Sequence, residues 1–169
     1  MEIMVWPPGT LSWNGNAVRC ALGRGGVVAH KKEGDGATPE GSFPLRRVLY
    51  RPDRVAQPKT ALPVRALNPK DGWCDDPGNQ SYNHLVTLPF LASHEVMWRE
   101  DGLYDIVVEI GHNDDPVQPG LGSAIFMHVA TPDFRPTQGC IALGLDDLQK
   151  LLEGCGKAAR LCIKLGPPA

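Results

Sequence analysis

Gly122-Ser-Ala-Ile-Phe-Met-His128-Val-Ala-Thr-Pro-Asp-Phe-Arg-Pro-Thr137-Gln-Gly139-Cys140-Ile-Ala-Leu143 reads as strand, turn, strand. Ala124, Phe126 and His128 alternate with Ile125, Met127 and Val129, so the two sets point to opposite faces of a strand. Pro132 and Pro136 break the run, because proline brings no N–H to a ladder. Gly139-Cys140 then opens a second apolar run, Ile141-Ala142-Leu143. Two strands joined by such a loop set His128 and Cys140 side by side at the mouth of a sheet. The thiolate is the nucleophilic form of cysteine, and a neighbouring imidazole is the base that generates it. Gly139, bare of a side chain, lets a substrate carbonyl approach backbone N–H groups. Cysteine is also a common small core residue, so the pair alone does not decide the matter.

Outward from this stretch, the chain is rich in short strands. Asn14-Gly15 is a hairpin turn signal. Residues 17–22 and 26–30 read as a hairpin around Gly23-Arg24-Gly25, and 31–42 as a polar, glycine-rich loop. Residues 45–50 and 104–110 read as strands. Pro52, Pro58, Pro63, Pro69 and Pro77 exclude a long helix from 51–80. One helix starts near Asp146: Leu145, Leu148, Leu151 and Leu152 share a face, two aspartates suit its positive end, and Gly154 suits its stop. Residues 159–165 return as a last strand. The expected fold is mostly β, with one helix packed near the C-terminus.

At 169 residues the chain fits a single domain, taken as 1–169. Hydrophobic residues make up 42% and charged residues 21%, as in ordinary globular proteins. A net charge of −2 and no basic stripe argue against a nucleic-acid partner. The N-terminus lacks the pattern of a signal peptide, and no apolar run reaches transmembrane length. The five cysteines form no C-x-x-C pair, so neither a metal nor a cofactor is expected. Cys20, Cys155 and Cys162 read as structural. Cys74, in a Trp-Cys-Asp-Asp loop, is the other candidate for a functional thiol. Asp75-Asp76 before Pro77 reads as a solvated turn rather than a metal site. His30, His84 and His94 read as loop or strand-end residues. Oligomeric state is not legible.

Thr137-Gln138-Gly139-Cys140-Ile141, downstream of a strand ending in His128, resembles the signature of the L,D-transpeptidase (YkuD-type) catalytic domain. Gly34-Asp-Gly-Ala-Thr38-Pro-Glu-Gly-Ser-Phe-Pro44 resembles that family's early Thr-Pro-x-Gly-x-Phe segment. Trp73-Cys-Asp-Asp-Pro77, Tyr82-Asn83 and Gly111-His112-Asn113 resemble groove segments of its short single-domain branch. The resemblance implies a β-sandwich in which Cys140 is nucleophile, His128 base, and the amides around Gly139 and Cys140 the oxyanion hole. It further implies substrate contacts at Tyr82, Asn83, His112, Asn113, Thr137 and Gln138. The implied substrate is a peptidoglycan stem peptide, which yields a thioester, releases D-alanine and is passed to an amine. The implied location is the cell envelope or periplasm, with the cytoplasm as the alternative for a chain without a signal peptide. Gln138 and Ala142 depart from the family, which often has histidine and arginine there. The absent arginine leaves an L,D-carboxypeptidase or amide hydrolase open.

Overall fold

The structure, a computed structural model, describes residues 1–167. It opens with a meander of β1 (Glu2–Trp6), β2 (Thr10–Trp13) and β3 (Asn16–Ala21). Asn14 and Gly15 form the β2–β3 turn with φ of 43° and 79°, the left-handed pair such a turn requires. Alternation buries Ile3, Val5, Leu11 and Trp13 on one face. Next come β4 (Val27–Val28), β5 (Thr38–Pro39), the long β6 (Gly41–Tyr50) and β7 (Val64–Ala66). Then follow β8 (Asp71–Cys74), β9 (Leu85–Thr87), β10 (His94–Val96) and β11 (Ile106–Ile110). The chain ends with β12 (Phe126–Val129), β13 (Ile141–Leu143), α1 (Leu145–Glu153) and β14 (Arg160–Ile163).

The main sheet runs β11-β12-β13-β3-β2-β1-β14-β6-β7, and β6 pairs with β11 as well. That pairing closes the ladder into a barrel-like ring, where a two-sheet sandwich was expected. The reason is the length of β6. Its first half pairs with β14 from Gly41 to Pro44, and its second half with β11 from Leu45 to Tyr50. In the same way, β3 pairs with β2 through Asn16–Arg19 and with β13 through Cys20 and Ala21. Strands shared by two neighbours turn two sheets into one. The expected hairpin of 17–22 with 26–30 does not form. Instead β4 pairs in parallel with β5.

The wall β11–β12–β13 is apolar on both faces. Val108, Met127, Ile141 and Leu143 face the main core, where Leu148, Leu151 and Leu152 of α1 join them. Val107, Phe126 and Cys140 face a second cluster with Trp73, Met97 and Tyr104. Trp73 comes from a separate three-stranded sheet, β10-β8-β9. That sheet covers the outer face of the wall and shelters what the wall displays there.

Candidate active site

His128 lies in β12, and Cys140 immediately precedes β13. The two strands are parallel neighbours, with Met127 opposite Ile141 and His128 opposite Ala142. Alternation therefore places both side chains on the outer face, where they line one cleft of about 600 Å³. Ala142 lines it too, and β13 supplies no cation. The cleft's cations are Lys31, Arg99 and Arg135, all from outside β13.

The Cys140 sulfur sits between two backbone groups. It accepts the Phe126 N–H at 3.3 Å and donates its own proton to the Ala124 carbonyl at 3.2 Å. Burial pushes the thiol up to about 12, with the Glu95 carboxylate adding to the effect. His128 faces the Val129 carbonyl through Nδ1 at 2.8 Å. An imidazole nitrogen facing a carbonyl carries the proton, so Nε2 is left as the basic atom. Burial lowers His128 to about 4. The Tyr104 ring meets the imidazole edge-on at 5.3 Å. Near neutral pH the resting pair is thus uncharged thiol and uncharged imidazole, and no hydrogen bond joins them.

Glycine at 139 has a different reason from the one its position suggested. Its φ is +129°, and a Cβ there would lie 2.7 Å from the Ala37 carbonyl oxygen. The missing side chain thus makes room for protein backbone, and Gly139 does not line the cleft. Its N–H is taken by Thr137 Oγ1 at 3.1 Å, while that hydroxyl donates to the Cys140 carbonyl at 2.6 Å. No side chain among the described residues accepts the Cys140 N–H. Thr38 locks the same turn from 101 residues away. Its hydroxyl donates to the Gly139 carbonyl at 2.9 Å and accepts the Gly23 N–H at 2.8 Å.

Of the six expected substrate contacts, Thr137 and exposed Gln138 line the cleft. Tyr82, Asn83, His112 and Asn113 do not line it; their polar atoms are bonded to backbone and, for Tyr82 and Asn83, also to the side chains of Glu33 and Trp73. Asn83 donates to the His112 and Asn113 carbonyls, and its Oδ1 accepts both Trp73 Nε1 and the Ala124 N–H at 3.0 Å. Asn113 is bonded to Gln118 and Gly122. His112 Nε2 bonds the Leu121 carbonyl at 3.0 Å. The Tyr82 hydroxyl donates to Glu33 and accepts the Gly122 N–H. Together they hold 121–124, where Ala124 has a left-handed φ of 52°. The carbonyl that takes the Cys140 proton belongs to this pinned residue.

The remaining wall is acidic. Glu95 accepts the Tyr104 hydroxyl on both oxygens at 3.2 Å, and its carboxyl is raised by burial. Asp75 departs from the solvated turn expected of it. It is half-buried and lines the cleft, and its Oδ1 is buried without a hydrogen-bond partner. Cys74 is fully buried in β8, and all five cysteines are free.

A closed β-sheet thus places a sheltered imidazole on β12 and a sheltered thiol at the start of β13 in one cleft. The chain belongs to the L,D-transpeptidase catalytic domain (YkuD) family, whose model matches residues 3–161. No curated protein matches it. Among solved structures, the helical cell shape determining protein Pgp2 from Campylobacter jejuni is similar at 15% identity and a TM-score of 0.48. The likeness covers 99% of this chain and 48% of that one, so the chain spans about half its length. No helix among the described residues is long and apolar enough to cross a membrane.

Proposed function

We propose that the protein is a cysteine acyltransferase of the L,D-transpeptidase type, acting on peptidoglycan stem peptides in the cell envelope, with 1–169 as one catalytic domain. The observation that carries this reading is that Cys140 and His128 share one face and one cleft in a chain of that family. The Cys140 sulfur attacks the carbonyl carbon of the stem's third residue. As the S–C bond forms, the thiol proton passes to His128 Nε2, and Nδ1 stays on Val129. The carbonyl electrons move onto oxygen, where the Cys140 N–H stabilises them. The C–N bond then breaks, and the proton on Nε2 leaves with the terminal D-alanine. An amine of a second stem attacks the thioester and loses its proton to His128 Nε2; the C–S bond then breaks as that proton passes to the departing sulfur, which restores the thiol. Because the resting pair is neutral, proton transfer accompanies attack rather than preceding it.

The test is product mass after incubation with disaccharide-tetrapeptide. Transfer predicts a cross-linked dimer and free D-alanine, both absent with Cys140→Ala. A tripeptide without dimer means water resolves the same thioester. No D-alanine from the wild type overturns the reading.

A further inference from the structure

We infer that the Ala124 carbonyl is a substrate subsite, which accepts the N–H of the residue whose own carbonyl Cys140 attacks. The inference rests on the acyltransferase reading for the attack, and it adds which donor peptides the cleft takes. Three observations converge on it.

The first is an under-served acceptor. Ala124 lines the cleft and is 8% exposed. Among the described residues its carbonyl accepts one bond, from the Cys140 thiol at 3.2 Å. A thiol is a weak donor, and a sheltered carbonyl favours an amide N–H over it. The sulfur is not stranded by the exchange, since it keeps the Phe126 N–H at 3.3 Å.

The second is a conflict between rest and reaction. The thiol proton rests on Ala124, yet attack requires it at His128 Nε2, the nitrogen that Val129 leaves free. When the thiol turns to the imidazole, the carbonyl is left without a donor. A substrate N–H supplies one, so that seating the donor peptide and releasing the thiol are a single exchange. No covalent bond changes in it. The S–H hydrogen bond moves from oxygen to nitrogen, and the proton itself transfers only with attack.

The third is reach. A carbonyl carbon poised for attack stands about 3–3.5 Å from the nucleophile. Within one residue, bond lengths and angle put the backbone nitrogen about 2.5 Å from that carbon. An N–H···O bond spans about 2.9 Å. With Sγ 3.2 Å from the Ala124 oxygen, this four-sided figure closes. The oxygen is also aimed. Asn83 Oδ1 holds the Ala124 N–H at 3.0 Å, and the Asn83 amide is tied to the His112 and Asn113 carbonyls. Both residues take a left-handed φ, 57° at Asn83 and 52° at Ala124. Asn83 is thus a positioning residue for the subsite.

The test is calorimetric titration of Cys140→Ala, in which the carbonyl has no thiol to serve it and turnover is absent. A stem tetrapeptide is compared with an analogue carrying an ester oxygen in place of the third residue's N–H. A second analogue carries the same replacement at the second residue. We expect the third-residue ester to bind about fivefold more weakly or worse, as loss of one hydrogen bond implies, and the second-residue ester to bind within about twofold. Asn83→Gly tolerates the left-handed φ. Added to Cys140→Ala, it should shrink the third-residue penalty to about twofold or less. If that variant lacks a cooperative melt, the two esters on Cys140→Ala decide alone. No penalty at the third residue, an equal penalty at both, no binding of any peptide, or a penalty unchanged in folded Asn83→Gly overturns the inference. Failure of the acyltransferase reading would show separately, as no D-alanine released by the wild type from the all-amide peptide.

Discussion

The proton on Cys140 is given to a carbonyl, not to the imidazole beside it, and this governs how the thiol reacts. Burial holds the thiol near 12 and the imidazole near 4, so the free protein has little thiolate at neutral pH. Iodoacetamide should therefore modify Cys140 slowly below pH 9 and faster with rising pH, as read by peptide mass mapping. A plateau of fast labelling near pH 6 would mean a preformed ion pair. A carbapenem, whose strained amide brings its own carbonyl into the cleft, should add to Cys140 in intact-mass spectra, and an adduct on Cys74 would reverse the assignment. His128→Ala should slow acylation about 10²–10⁴-fold near neutral pH and recover partly at high pH. Gly139→Ala should destabilise by about 3 kcal/mol or more, because its Cβ meets backbone and its φ is positive. Cys140 and His128 were legible in the sequence because reactive residue types there sit between strand patterns. The role of Asn83 was not, because its partner Ala124 is 41 residues away and the bond is to backbone.

At the scale of elements, the backbone of the site is pinned by side chains outside the cleft lining, Thr38 among them. Thr38→Val would strand the Gly139 carbonyl and the Gly23 N–H in a buried setting. We expect a loss of about 2 kcal/mol in denaturant unfolding and slower Cys140 acylation, with Thr38→Ser restoring much of both. Acylation at the wild-type rate in Thr38→Val would separate this lock from catalysis. The helix was legible because its leucines recur at helical spacing, and Leu148, Leu151 and Leu152 are indeed buried. Leu148→Ala should cost about 2–5 kcal/mol and lower Tm accordingly. The supposed hairpin at 17–30 shows where periodicity fails. Strand character in β3 was visible, but its neighbour β13 lies more than a hundred residues downstream, and a period of two says nothing about partner identity.

For the whole molecule, the buried imidazole couples the site to stability. His128 has a folded value near 4, below the ordinary 6.5, so the unfolded chain binds its proton first. Stability from this group is complete above pH 6.5, falls as pH drops, and levels off below about 4. The difference amounts to about 3 kcal/mol, and His128→Gln should flatten the Tm-against-pH curve across that interval. An unchanged slope in His128→Gln would show that other groups carry the acid sensitivity. Ring closure was not legible at all, since it depends on β6 serving two neighbours at once. It also has a bearing on self-association. An open sheet ends in unpaired N–H and C=O groups that another chain can extend, the route to strand-swapped aggregates and fibrils. Here the ring uses up those groups, and the strand left at the margin of the main sheet, β7, is three residues long, with Arg65 anchored to Asp71 at 2.9 Å. Within the main sheet, β6, by serving both β14 and β11, thereby leaves a second molecule little edge to grow on.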